Sequence, residues 1–331
     1  MATITMAKAI NSGLRIALAR DEKVVLMGED IGKLGGVFRV TDGLQAQFGD
    51  MRVIDPPLAE SGIMGTAIGM AMRGWRPVVE IQFDGFVYPA FDQIVSQLAK
   101  THMRSAGATR LPVVVRIPYG GGIGAVEHHS ESPEAYFAHT AGLRVMSPAN
   151  PYDAFIMIQQ AIACEDPVIF FEPKRRYWDK ADFDDSIDVV AKPDGVGSPF
   201  KARIAREGTD LTLVAYGPMV RTCLEAAEAA AEEGRSLEVV DLRSISPLDV
   251  DTLVASATKT GRMVVVHEAS VFCGVGAEIA ARVMEKCFWT MQAPVLRVGA
   301  MHAPYPAARV EHVFLPDLDR VLEAVDQAMD Y

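Results

Sequence analysis

The chain contains 331 residues, of which 50% are hydrophobic and 23% charged. This length and composition are typical of a folded protein with about two domains, and exclude an intrinsically disordered chain. The net charge of −11 and the lack of a basic stripe argue against nucleic acid as a partner. Neither a signal peptide nor an uninterrupted apolar run of roughly 18 residues is recognised, so we expect a cytoplasmic protein without membrane contact.

In the first half of the chain, short β-branched runs alternate with amphipathic helical patterns, which is typical of parallel α/β architecture. Apolar residues recur at the 3.6-residue period over 6–18 and 91–98, and these segments are predicted to be helices that cover a sheet. The predicted strands are 24–27, 78–83, 113–117, 143–146 and 168–171.

The alternation stops in an acidic stretch that contains Pro193, Gly195, Gly197 and Pro199, and then resumes. The later predicted strands are 211–215, 237–241, 263–267 and 295–298, and the later predicted helices are 219–233, one opened by Ser246-Pro247, 277–287 and 318–329. We therefore predict two parallel or mostly parallel α/β domains, over 1–175 and 208–331, joined by a linker over 176–207.

A helix over 56–71 is predicted to begin at two prolines and to be largely buried, because small residues such as Gly62, Gly65 and Gly69 permit close packing. Glu60 lies near its start, where the helix dipole favours a negative charge and apolar surroundings disfavour it. Such opposed influences suit a carboxylate that exchanges protons. An acid that only complements the dipole is the alternative interpretation.

A glycine-rich loop over 120–124 follows a predicted strand, and His128 and His129 follow the loop. The loop could contact phosphate or form a flexible turn, and it lacks both the dinucleotide-binding fingerprint and the P-loop pattern. Loops at strand ends often carry catalytic residues, but paired loop histidines are also often solvated. Both interpretations remain open from the residues alone.

Six segments taken together identify a resemblance that covers essentially the whole chain. They are 27–30 (MGED), 57–62 (PLAESG), 83–93 (FDGFVYPAFDQ), 129–135 (HSESPEA), 170–174 (FFEPK) and 241–249 (DLRSISPLD). This set resembles the β subunits of thiamine-diphosphate-dependent 2-oxoacid dehydrogenases. The segment 130–139 is most similar to the branched-chain, 2-oxoisovalerate-specific enzymes.

The resemblance implies a transketolase-like pyrimidine-binding domain followed by a transketolase C-terminal domain, in an α2β2 heterotetramer. The family's motif for diphosphate and Mg²⁺, Gly-Asp-Gly followed by Asn-Asn, is absent, because Gly49-Asp50 continues as Met51. An α subunit would therefore hold the diphosphate and Mg²⁺. The acyl product would pass to the lipoyl group of a dihydrolipoamide acyltransferase core.

The resemblance also assigns residues to the cofactor and to acyl transfer. Glu60 matches the glutamate that hydrogen-bonds the aminopyrimidine ring, Phe86 matches the aromatic residue beside that ring, and Leu58 and Gln82 match neighbours of the pocket. His129 matches the histidine that donates a proton during acyl transfer to lipoamide, with its neighbour His128 as the alternative. Carbonyl ligands of a structural K⁺ are implied at Val113, Ala161, Ile162, Cys164 and Asp166.

We therefore expect the β subunit of a decarboxylating component that acts on a branched-chain 2-oxoacid in branched-chain amino acid catabolism. A pyruvate or acetoin dehydrogenase β subunit is the alternative within the class. Outside the class, a non-catalytic α/β scaffold and an independent nicotinamide oxidoreductase are less favoured. The retained Glu60 and Phe86 argue against the scaffold, and the missing dinucleotide fingerprint argues against the oxidoreductase.

Overall fold

The computed structural model describes residues 2–192 and 197–331, so the predicted linker residues Pro193 and Gly195 lie outside the described residues. The strands of the first part are β1 (Ala2–Thr5), β2 (Val24–Gly28), β3 (Val53–Ile54), β4 (Arg76–Glu80), β5 (Val114–Tyr119), β6 (Arg144–Met146), β7 (Val168–Pro173) and β8 (Lys180–Phe183). Its α-helices are α1 (Met6–Arg20), α2 (Leu44–Phe48), α3 (Glu60–Met72), α4 (Ala99–Arg104), α5 (Glu134–Ala138) and α6 (Pro151–Ala163). Short 3₁₀ segments lie at Asp84–Ala90, Glu127–His129 and Lys174–Arg176, and a π-helical turn lies at Gln93–Leu98.

The second part repeats the alternation of strands and helices. Its strands are β9 (Arg203–Arg206), β10 (Leu211–Ala215), β11 (Leu237–Asp241), β12 (Ser244–Ser246), β13 (Met263–Ser270) and β14 (Leu296–Ala300). Its α-helices are α7 (Met219–Glu232), α8 (Val250–Thr260), α9 (Val275–Cys287), α10 (Glu311–Phe314) and α11 (Leu318–Met329). None of the helices described in either part is long and apolar enough to cross a membrane.

Two mostly parallel sheets dominate the described chain, which confirms the predicted fold class. The larger sheet has the strand order β12-β6-β7-β5-β4-β2-β3, and only β12 runs antiparallel to its neighbour. The smaller sheet has the order β14-β13-β10-β11-β9, and only β9 is antiparallel. Strands β1 and β8 form a separate antiparallel pair.

The larger sheet is covered on both faces, which explains why its strands are continuous apolar runs. Successive residues point to opposite faces of a strand, so Val78 and Phe170 pack with α1 and α6 on one face. Val79 and Phe171 pack with α3 on the other face. This arrangement leaves the carboxyl ends of the strands as the place where polar loops gather.

The two large sheets share one hydrophobic core. Tyr119 and Phe171 of the first part belong to the same buried cluster as Tyr216, Val240 and Ile245 of the second part. Strand β12 of the second part also completes the edge of the first sheet. The predicted linker over 176–207 contains β8 and β9 in its described part, and the domain boundaries stay a prediction.

The prediction for the helix at 56–71 was wrong in two respects. The helix begins at Glu60, because Ala59, with φ of −167° and ψ of 83°, lies outside the helical region and is the N-cap residue. It is also not largely buried, since Gly62, Gly65 and Gly69 lie along an exposed face where an added Cβ would meet few or no atoms. The opposite face, with Ile63 and Met64, packs into the core.

Two further local predictions were wrong. The predicted strand at 78–83 ends at Glu80, because the chain turns into the 3₁₀ segment that carries Asp84. The helix expected to open at Ser246-Pro247 begins instead at Val250. Pairing of Ser244–Ser246 with β6 takes precedence over the local helix-start signal.

Candidate active site

The candidate site lies at the carboxyl ends of three neighbouring parallel strands, β2, β4 and β5. Glu29 and Asp30 follow β2, Gln82 follows β4, and the glycine-rich loop follows β5. In open α/β sheets, ligands bind at this edge. The topology therefore brings together segments that are far apart in the sequence.

Glu60 is the first residue of α3 and is partly buried. Burial raises the pKa of Glu29, and the negative charges of Asp30 and Glu60 raise it further, so the three carboxylates lie near one another. Gln82 Nε2 donates a hydrogen bond to Asp30 Oδ2 at 3.4 Å. The surroundings of Glu60 are thus acidic and partly open, not apolar as expected from the sequence.

Four aromatic rings form a compact group beside this acidic surface. The ring of His129 lies 4.0 Å from that of Phe83, 5.3 Å from that of Phe86 and 4.5 Å from that of His128, measured between centroids. His129 Nδ1 is buried and has no hydrogen-bond partner within residues 2–192 and 197–331. Burial lowers the pKa of His129, as do the charges of His128 and Lys174, which favours the neutral form of its imidazole.

Buried Asp84 connects the segment that carries Phe86 to the segment that follows His129. It forms an ion pair with the buried ammonium of Lys174, and its Oδ2 accepts a hydrogen bond from the backbone N–H of Glu131 at 2.8 Å. Burial raises the pKa of Asp84 to about 6, and the charge of Lys174 opposes this rise. At Gly85, an added Cβ would lie 2.5 Å from the backbone oxygen of His128, so only glycine permits this contact.

The glycine-rich loop is not a free turn. Its backbone N–H groups at Gly121, Gly122 and Gly124 donate to two carboxylates of the second part of the chain, those of Glu268 and Glu311. Amides that are engaged by carboxylates do not bind phosphate at the same time. Neither of the two interpretations left open by the sequence, phosphate contact or flexible turn, describes this loop.

Two protein families match this chain, one in each of its two parts. Residues 2–179 match the transketolase pyrimidine-binding domain and residues 200–321 match the transketolase C-terminal domain. The pyruvate dehydrogenase E1 component subunit beta of Leifsonia xyli is 59% identical over 330 residues, which cover 99% of this chain and 96% of that protein. The chain belongs to the E1 β subunits of 2-oxoacid dehydrogenases.

Other relatives carry different substrate names. The 3-methyl-2-oxobutanoate dehydrogenase subunit beta of Mycobacterium tuberculosis is 51% identical and covers 99% of this chain and 92% of that protein. A solved split-gene transketolase, described as an inactive β4 tetramer, has a TM-score of 0.79 at 26% identity over 99% of this chain and 98% of that chain. A transketolase from Pichia stipitis, at 15% identity and a TM-score of 0.71, shares the fold over 100% of this chain and 46% of its own.

Enzymes of this family depend on thiamine diphosphate, and the E1 β subunit fits one end of that cofactor. An aminopyrimidine ring needs a carboxylate for its nitrogens and apolar groups for its faces. Glu60, the half-buried Phe86 and Leu58, whose surface is 68% exposed, are residues that would supply such groups. The carboxylates near Glu60 would repel a free diphosphate at this edge.

The predicted potassium positions of this β subunit are partly engaged by another cation. Arg76 Nη1 donates hydrogen bonds to the backbone oxygens of Ile162 at 3.0 Å and Cys164 at 3.3 Å. A guanidinium at two of the required oxygens disfavours a second positive ion there. The other three predicted positions are Val113, Ala161 and Asp166. Potassium binding stays a prediction, and the Arg76 contacts argue against it.

Four charged residues of the E1 β subunit have structural roles that were not predicted from the sequence. Asp84 and Lys174 are both buried. A charged residue within an apolar run of sequence indicates a buried ion pair, so this pair could have been predicted. Glu268 and Glu311 contact the glycine-rich loop across more than a hundred residues of sequence, and no local pattern indicates such contacts.

Proposed function

We propose that this β subunit binds the aminopyrimidine end of thiamine diphosphate in an E1 enzyme that decarboxylates a branched-chain 2-oxoacid. The observation that carries the proposal is that one end of the sheet holds both Glu60, at the partly buried start of α3, and Phe86, whose ring packs against His129. The chemistry that thiamine diphosphate supplies when bound is acceptance of the electron pair released by decarboxylation.

Each residue of the site has a defined task in this proposal. Glu60 holds a proton against a ring nitrogen of the aminopyrimidine, and Phe86 and Leu58 cover its faces, while Gln82 lies beside them. Within the described residues, buried Nδ1 of His129 has no hydrogen-bond partner, and a neutral imidazole can donate or accept a proton. We assign it to proton transfer when the acyl group passes to the lipoyl group of a dihydrolipoamide acyltransferase.

The proposal requires a second chain. The acidic surface of Glu29, Asp30 and Glu60 is unsuited to a diphosphate, and the Gly-Asp-Gly motif is absent. We therefore propose that an α subunit holds the diphosphate and Mg²⁺ in an α2β2 heterotetramer. The exposed Leu58 and the open glycine face of α3 are consistent with a site completed by another subunit.

Two observations bear on the choice of substrate. The similarity of 130–139 to branched-chain enzymes supports 2-oxoisovalerate, and so does the relative from Mycobacterium tuberculosis. The relative from Leifsonia xyli, at higher identity, supports pyruvate as the second candidate. Both substrates have the same reacting 2-oxo carboxylate, so the tasks of Glu60 and His129 do not depend on the choice.

The deciding experiment measures decarboxylation of 2-oxoisovalerate and of pyruvate, with thiamine diphosphate and Mg²⁺, by the β chain alone and after assembly with an α subunit. We expect activity only after assembly and a higher kcat/KM for 2-oxoisovalerate. A preference for pyruvate would change the substrate and keep the mechanism. Activity of the β chain alone would refute the divided site.

The potassium prediction has a separate test. Thermal unfolding of the assembled enzyme is compared in KCl and in NaCl at equal ionic strength. A higher Tm in KCl alone would support potassium at the predicted carbonyls. Equal values of Tm would agree with the engagement of two of these carbonyls by Arg76.

A further inference from the structure

The glycine-rich loop is bound by two glutamates that belong to the second part of the chain. Gly121 N donates to Glu268 Oε1 at 2.5 Å, and Glu268 is buried beside Arg175. Gly122 N donates to Glu311 Oε1 at 2.9 Å and Gly124 N donates to Glu311 Oε2 at 3.2 Å. Hydrogen bonds from amides to a carboxylate are charge-assisted and stronger than those between neutral groups.

The shape of the loop depends on these contacts and on the absence of side chains. Tyr305 donates a hydrogen bond to Glu311 Oε1 at 2.6 Å. An added Cβ at Gly121 would overlap the Tyr305 hydroxyl oxygen, and one at Gly122 would lie 3.0 Å from Cδ of Arg175. Gly122 also has φ of +84°, which favours glycine. The loop therefore fits only against this surface of the second part.

The same loop is joined to the segment that carries His129. Gly120 N donates to the backbone oxygen of Glu131 at 2.9 Å, so the two ends of the segment 120–131 are joined. His129 lies inside this closed segment, and its position depends on how the rest of the segment is held. Without Glu311, the backbone N–H groups of Gly122 and Gly124 would hydrogen-bond to water instead, and the glycines would sample many conformations.

We propose that Glu311, oriented by Tyr305, is a positioning residue that holds the loop 120–131 and thereby sets the position of His129 for acyl transfer. The inference rests on the role proposed above for His129. It gives the second part of the chain an indirect role in acyl transfer. Glu311 does not touch the reacting atoms and acts through the loop.

The test uses the assembled E1 enzyme with Glu311→Ala, Glu311→Gln and, as a matched control, the exposed Glu323→Gln on α11. Three quantities are measured: hydrogen exchange of the loop amides, decarboxylation with an artificial electron acceptor, and acylation of a free lipoyl domain. We expect Glu311→Ala to increase exchange at Gly122 and Gly124 about tenfold or more, because a hydrogen bond to a charged group is lost. Acylation should fall by a similar factor while decarboxylation and Tm stay within about twofold and about 2 °C of the wild type.

Glu311→Gln should give an intermediate effect, because one amide oxygen can still accept from the loop, and Glu323→Gln should change nothing. Unchanged exchange in Glu311→Ala would overturn the inference, and so would increased exchange with normal acylation. An equal loss of both activities together with a lower Tm would show a merely structural role. If His129→Ala itself leaves acylation unchanged, the proposed role of His129 fails and the inference fails with it, whatever the exchange data show.

Discussion

At the scale of single residues, the site combines an acidic group with a neutral imidazole. Glu60 lies beside Glu29 and Asp30, whereas His129 packs against the rings of Phe83 and Phe86. A carboxylate can hold a proton on a ring nitrogen, and a neutral imidazole can transfer one at pH 7. The two residues therefore suit two different proton transfers, and substitution should separate them.

Glu60→Gln should slow decarboxylation by about 10²–10⁴-fold, because an amide cannot accept the proton that the proposed task requires. The measurement is the rate of 2-oxoacid decarboxylation by the assembled enzyme. Glu22→Gln, at an exposed position after α1, serves as the control and should leave the rate unchanged. A rate near that of the wild type for Glu60→Gln would exclude the assigned role.

His129→Ala should impair acylation of the lipoyl group by about 10²-fold or more while decarboxylation with an artificial acceptor is largely retained. His128→Ala is the matched variant, because His128 is adjacent and exposed, whereas His129 Nδ1 is buried. Single-turnover transfer to a lipoyl domain measures the effect. A loss confined to His128→Ala would assign the role to the other histidine.

At the scale of elements, three central strands of the larger sheet carry a buried ionic group. Arg116 of β5 is 1% exposed and donates to both carboxylate oxygens of Glu172 on β7, at 2.6 and 2.9 Å, and to Glu80 on β4 at 2.5 Å. Tyr177 donates to Glu172 as well, at 2.6 Å. Burial raises the pKa of Glu80, and the charge of Arg116 opposes this rise.

Arg116→Leu should destabilise the protein by about 3–5 kcal/mol, because it leaves two buried carboxylates without their cation. Arg282→Leu is the contrast, since Arg282 pairs with Glu278 on the exposed face of α9, where such a pair contributes less than about 1 kcal/mol. Urea unfolding of both variants measures the free energy of unfolding. Equal losses would contradict the importance assigned to the buried group.

The strands and long helices were predictable because each buries a regular stripe of apolar residues. The predicted strand over 211–215 matches β10, and the helix predicted at 318–329 matches α11. Strand β12 could not be predicted, because its pairing with β6 depends on residues a hundred positions away. For the same reason, the motifs around Glu60 and His129 indicated a site, whereas the carboxylates that hold the glycine-rich loop gave no local signal.

At the scale of the whole molecule, the two sheets meet at a buried and titratable contact. Tyr216 of the second part donates a hydrogen bond to Glu134 Oε1 at 2.7 Å, and Glu134 Oε2 has no partner in the described chain. Burial raises the pKa of Glu134 from 4.5 to about 7. Between pH 4.5 and about pH 7, Glu134 keeps its proton in the folded protein and loses it in the unfolded chain. The free energy of unfolding therefore falls as the pH rises through this range.

Glu134→Gln should reduce this loss of stability, because glutamine keeps an acceptor for Tyr216 and cannot ionise. The free energy of unfolding of the variant should exceed that of the wild type by at most about 3 kcal/mol at pH 8, and this difference should vanish near pH 4. Calorimetry from pH 4 to pH 8 measures it as the difference in Tm, with Glu323→Gln as the control. Parallel pH profiles for Glu134→Gln and the wild type would show that Glu134 does not titrate as described.

The strand that closes the larger sheet has a consequence for biosynthesis. Strand β6 emerges from the ribosome about a hundred residues before β12, a delay of about 5–20 s at ordinary translation rates. During this interval the nascent first half carries an unprotected sheet edge and the apolar surface that the later residues will cover. Chaperone contact is therefore most needed while residues 147–246 are being translated.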